Sequence, residues 1–109
     1  MNSLFNSALK QSSAVRRDLD VFSEKPLTFS PALQGQLSAS LTSLSRTIDD
    51  YDSMAKRELV PAKQEKAFER VKTFRTELLE FRQQLERLKG EKDDAVMDQH
   101  LSTTFLIDD

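Results

Sequence analysis

Read backwards from Phe22, small and apolar side chains recur in steps of three and four. Phe22, Leu19, Val15, Ser12, Ala8, Phe5 and Met1 therefore share one helical stripe. The same spacing returns through Leu33, Leu37, Leu41, Leu44, Ile48, Tyr51 and Ala55, and again through Ala67, Val71, Phe74, Leu78, Phe81, Leu85 and Leu88. Three stripes of equal length, separated by proline-marked turns, leave few solutions. Each stripe needs cover, and three helices joined by short loops cover all of them at once. The predicted fold is all-α, an antiparallel up-down-up three-helix bundle over residues 1–90 with helices at about 2–24, 31–58 and 61–89.

The boundaries follow from capping chemistry. Asn2 or Ser3 opens the first helix with a side chain that accepts from free backbone N–H groups, and Pro26 closes it. Ser30-Pro31 is a start signal, Ser30 as N-cap and Pro31 at the first helical position, with Phe29 before it as a staple onto the first turn of helix two. Gly35 in that turn points either to close approach by a neighbouring helix or to a glycine that is merely tolerated. Val60-Pro61 starts helix three. Lys89-Gly90 is expected to end it, with Gly90 as a left-handed C′ residue. Residues 91–109 lose the heptad spacing and read as an acidic linker or disordered tail, in which Phe105-Leu106-Ile107 either stays mobile or docks.

Composition narrows the function. The chain of 109 residues is one domain and contains no cysteine, so neither disulfides nor a thiolate metal site is expected, and a cytosolic location fits. No signal peptide and no membrane span is visible, and the chain as given is expected to be soluble. The net charge of −2 conceals an asymmetry: residues 61–90 carry eight Lys or Arg against five Glu, whereas 91–109 carry one Lys against six acids. The cations of helix three alternate with glutamates, and Phe74 and Phe81 belong to the apolar stripe, so a nucleic-acid surface is not expected.

Catalytic constellations are missing too. His100 stands alone in the acidic segment and reads as a solvated residue; Gly35 and Gly90 are too far apart for a phosphate loop. Asp49, Asp50 and Asp52 read as a solvated face. No enzyme activity, cofactor, metal or small-molecule substrate is expected. Helix two is rich in hydroxyls, from Ser38, Ser40, Thr42, Ser43, Ser45 and Thr47, which suits close helix contact or a surface tuned by phosphorylation.

Several segments together resemble a known family. MNSLFNSALKQ at the start, DLDVF at Asp18 to Phe22 and SPALQGQLSASLTSL from Ser30 to Leu44 are similar to the beginning of membrin-type Qb-SNAREs of endoplasmic reticulum to Golgi transport, the fungal branch in particular. Lys66-Ala67, Arg70, Leu78, Phe81, Leu85 and Leu88-Lys89 are similar in placement. The likeness covers about Met1 to Lys89. It implies an N-terminal regulatory domain of the Habc kind, ahead of a SNARE helix and a C-terminal membrane anchor, in a protein that supplies one helix to a four-helix fusion complex. It also implies residence on the cytosolic face of the endoplasmic reticulum or Golgi membrane. Implied partners are the Golgi syntaxin and other SNAREs of that route, tethering factors or coat subunits. After Gly90 the family's heptads, central glutamine and apolar span are not found, so this chain alone is expected to be unable to drive fusion, and membrane attachment only through an anchor outside it.

The expected function is thus a protein-interaction domain acting through its helical surfaces. The candidate partner-binding surface is the groove between helices one and three with the basic edge of Arg16, Arg17, Arg70 and Arg75. The alternative is a structural helical-bundle or coiled-coil assembly module that dimerises through leftover apolar positions such as Leu9, Leu59 and Leu79.

Overall fold

A computed structural model describes the backbone of residues 2–108 and the side chains of residues 2–27 and 29–90. Three α-helices, α1 (Asn2–Glu24), α2 (Pro31–Lys56) and α3 (Pro61–Asp108), follow one another, with a 3₁₀ turn at Pro26–Thr28 between the first two. Their directions are fixed by which rings and charges meet. Phe5, near the start of α1, lies 6.1 Å from the ring of Tyr51 near the end of α2, and 5.8 Å from Phe74. Further along α1, Ser12 and Arg16 reach Glu77, and Arg16 lies over Phe81. α1 therefore runs against α2 and with α3, the up-down-up order that the three stripes require.

The stripes are the core. Ala8, Val15, Leu19 and Phe22 of α1 are buried with the hydroxyl-bearing Ser12, and all seven predicted positions of α3 are buried. Phe5 is half-buried against this core; Met1 lies outside the described residues. On α2, Leu37 through Ala55 are buried as expected, but Leu33 is 42 % exposed. The end of the core next to it is closed from the loop instead: the buried ring of Phe29 stacks on Phe22 with centroids 4.4 Å apart. The expected staple onto α2 is thus a staple onto the end of α1, where an aromatic surface was available.

Capping at the start of α2 is as the sequence predicts, with the Ser30 hydroxyl accepting from the Leu33 N–H at 3.2 Å and Pro31 behind it. The helix stops at Lys56, two residues short of the expected end. Its last carbonyls are taken by the Gln64 side chain of α3, which donates to Ala55 and Lys56 at 3.1 and 3.4 Å. Gly35 has no neighbour within 4 Å of where a Cβ would sit, so no helix approaches it closely and the glycine is merely tolerated. The hydroxyls of Ser40, Thr42 and Thr47 bond the carbonyls four residues back, which satisfies them without breaking α2.

The helix end expected at Lys89-Gly90 is not there. Gly90 has no positive φ, and α3 runs on to Asp108. Glycine permits the left-handed turn but does not impose it, and Glu91-Lys92-Asp93-Asp94-Ala95 contains no proline to stop a helix. A helix of 48 residues rises about 72 Å, which accounts for the 74 Å length of the molecule. The side chains of His100 and Phe105-Leu106-Ile107 lie outside the described residues, and docking of that segment with them.

Candidate partner-binding surface

Next to its buried stripe, α3 carries a second stripe at the same spacing: Lys66, Arg70, Thr73 and Glu77. This polar row faces α1 across a groove of about 360 Å³ whose apolar lining is Phe5, Leu9 and Phe74. Leu9 is 44 % exposed and lies outside the core cluster, so the groove has an uncovered apolar wall. Its cations stand at the Phe5 end. The Arg70 guanidinium lies 3.9 Å from the centroid of the Phe5 ring, a cation–π contact that holds the arginine along the groove rather than out in solvent.

Glu77 closes the other end. It accepts from the Ser12 hydroxyl at 2.9 Å through one carboxylate oxygen and pairs with Arg16 at 3.8 Å through the other. Arg16 also lies 5.6 Å from the Phe81 ring, so this residue bridges α1 to α3 below the groove. A buried serine inside an otherwise apolar stripe is explained by that bond: the carboxylate supplies the acceptor that the core lacks.

The four arginines expected to form one edge are divided between two seams. Arg70 lines the groove and Arg16 bounds it; Arg17 is exposed on α1 and makes no ion pair among the described residues. Arg75 faces the other way, toward α2, and pairs with Asp49 at 3.2 Å and Asp52 at 3.6 Å. Five positions separate it from Arg70, which turns it about 140° around the helix. Asp52 also holds Lys56 at 3.1 Å, so Asp49, solvated as expected, and the less exposed Asp52 join a charge network between α2 and α3.

Among the described residues no group of three or more His, Cys, Asp or Glu is arranged to hold a metal ion, and no helix is long and apolar enough to cross a membrane. What sequence reasoning missed is the glutamate and lysine of the groove. The signal was present in the 66-70-73-77 spacing, one position away from the apolar stripe.

Residues 1–101 match the family model described as BOS1/GOSR2/MEM11, N-terminal domain. A protein transport protein BOS1 of Yarrowia lipolytica is 35 % identical over 105 residues, which are 96 % of this chain and 46 % of that protein. The protein transport protein bos1 of Schizosaccharomyces pombe is 43 % identical over 94 residues, 82 % of this chain and 40 % of its own length. That of Debaryomyces hansenii is 33 % identical over 99 residues, 90 % and 43 % of the two chains. The chain thus spans less than half the length of these relatives. No solved structure matches it. On the three buried stripes, the Ser30-Pro31 start of α2 and a family match that covers nearly the whole chain, the protein belongs to the BOS1/GOSR2/MEM11 N-terminal domain family, the membrin-type assignment its sequence suggests.

Proposed function

We propose that this chain is the N-terminal protein-interaction domain of a membrin-type SNARE in vesicle transport between endoplasmic reticulum and Golgi, and that it works without catalysis by holding a partner segment in the groove between α1 and α3. The observation that carries the reading is the uncovered apolar wall of Phe5 and Leu9 set beside the Lys66 and Arg70 cations. Apolar surface with charged neighbours on a rigid scaffold is how a helix or extended peptide is both held and oriented. Partners expected from the family are the Golgi syntaxin, the other SNAREs of that route, and tethering or coat factors, met on the cytosolic face of those membranes. Residues 1–90 form the binding unit and 91–109 connect it onward. Arg70, Arg16 and Arg17 border the bound segment; Arg75 contributes by stiffening the α2–α3 seam.

The assembly alternative needs a continuous apolar seam. Leu9 lies in the α1–α3 groove, Leu59 in the α2–α3 turn, and Leu79, exposed on α3, lines neither, so these positions do not make one, and the groove reading is preferred.

Leu9→Asp combined with Lys66→Glu tests it, because both side chains are exposed and the fold does not depend on them. Calorimetric titration of the 109-residue chain with cytosolic segments of the candidate SNAREs should show binding weakened at least tenfold, about 1.4 kcal/mol, with helix content and Tm unchanged. Unchanged affinity in the folded double variant contradicts the groove as the binding site.

A further inference from the structure

At the opposite extreme from the acidic 91–109 segment, the α2–α3 turn shows an unusual combination. It is tightly built. Arg57 and Glu58 N–H groups bond Met54 and Ala55 carbonyls at 3.1 and 3.2 Å, the Glu58 carboxylate accepts from the Val60 N–H at 3.1 Å, and Gln64 caps α2 from across the turn. Yet this ordered turn presents Leu59 to solvent at 92 % exposure, with Val60 and Met54 beside it also exposed. Turns are ordinarily polar, and nothing in the fold uses the Leu59 side chain.

Charge surrounds the apolar tip. Between residues 56 and 66 there are four cations, Lys56, Arg57, Lys63 and Lys66, against Glu58 and Glu65. Lys56 is held by Asp52, whereas Arg57, Lys63 and Lys66 make no ion pair among the described residues. Because α1 and α3 run in the same direction, both of their N-termini, the positive ends of two helix dipoles, lie at this end of the bundle.

The same end holds a cavity of about 630 Å³, bounded by Lys63, Lys66 and Arg70 on α3 and by Asn2 and Ser3 of the first turn of α1. Tyr51 lines it as well. That side chain is 1 % exposed, and its hydroxyl makes no hydrogen bond among the described residues. A buried phenol normally finds a partner, and the cavity that Tyr51 lines has room for one. Glu58 is also on the rim, with one carboxylate oxygen occupied by the Val60 N–H. Three cations, the first turn of α1 and the Tyr51 phenol together fit a phosphate, with Glu58 the one acid on the rim.

We propose that this end of the bundle docks on an anionic membrane surface, Leu59 and Val60 entering the interface while a lipid phosphate occupies the cavity of Lys63, Lys66, Arg70 and Tyr51. Apolar tip and cation rim act together as they do in other interfacial anchors: neither term alone gives firm attachment. A soluble phosphate would use the cavity but has no need of Leu59, which is why the lipid source is favoured. Lys66 and Arg70 border both the groove and this cavity, whereas Leu59 and Lys63 lie outside the groove and so test this inference separately.

Co-sedimentation of the 109-residue chain with phosphatidylcholine vesicles, with and without phosphatidylserine or a phosphoinositide, is the test. Binding to the anionic vesicles should exceed that to neutral ones by about tenfold or more and fall with added salt. Leu59→Asp and Lys63→Glu should each weaken it about tenfold while leaving helix content and Tm unchanged, because both side chains are exposed. Equal binding by Leu59→Asp, or no preference for anionic vesicles, overturns the proposal. Inorganic phosphate that perturbs Tyr51 without any vesicle binding overturns it too and marks a soluble-phosphate site.

Discussion

Ser12 is the residue at which sequence pattern and packing differ most instructively. It occupies a stripe position that asks for an apolar side chain, is 6 % exposed, and stays there because its hydroxyl donates to Glu77. Replacing it with alanine removes one hydrogen bond to a charged, partly solvated acceptor, so Ser12→Ala should lose about 1 kcal/mol and lower Tm by roughly 4–8 °C. Arg16→Ala should cost less, about 0.5 kcal/mol, because its ion pair to the same carboxylate is long and exposed and its contact with the Phe81 ring is at 5.6 Å. Thermal melts of the two variants separate these contributions, and equal losses would contradict the account. The stripe position of Ser12 was legible in the sequence, but its partner was not: the bond spans 65 residues, and nothing in the local pattern around Glu77 marks it. Arg75 failed for the same reason. A list of arginines does not say which seam each faces until the register of three helices is set.

At the scale of the element, the helix starts and the end of α1 before Pro26 were readable, and the end of α3 was not. Ser30-Pro31 combines a side-chain acceptor with a residue that has no N–H to satisfy, and the structure uses both. Gly90 offers only permission. Its helical backbone carries a sharp test: Gly90→Ala should raise Tm slightly, by up to about 1 kcal/mol of stability, since nothing lies within 4 Å of the new methyl group. Were Gly90 a left-handed cap, the same substitution would lower Tm by a similar amount. Gly35→Ala should likewise stabilise α2, and a loss there would mean that a helix does approach it after all. Leu33 shows the limit of periodicity. The three-four spacing includes it, but the spacing says nothing about where the neighbouring helices run out, and Phe29 closes that end of the core instead.

For the whole molecule, the three stripes set topology, and topology then sets function by what it leaves uncovered. Running α1 alongside α3 opens the groove of Phe5, Leu9, Lys66 and Arg70 and gathers two helix N-termini at the α2–α3 turn. Neither arrangement can be read from one helix, although the 66-70-73-77 row and the cations around Leu59 are both plain in the sequence once the packing is known. The central claim is that partners are held between α1 and α3. The direct measurement is a map of amide chemical shifts in the nitrogen-labelled 109-residue chain, titrated with a cytosolic SNARE partner of the same transport route. The account predicts the largest changes at Phe5, Leu9, Lys66, Arg70, Thr73 and Glu77, and their loss in the Leu9→Asp, Lys66→Glu variant. Changes concentrated on the outer face of α2, around Gln36, Ser43 and Arg46, would contradict it.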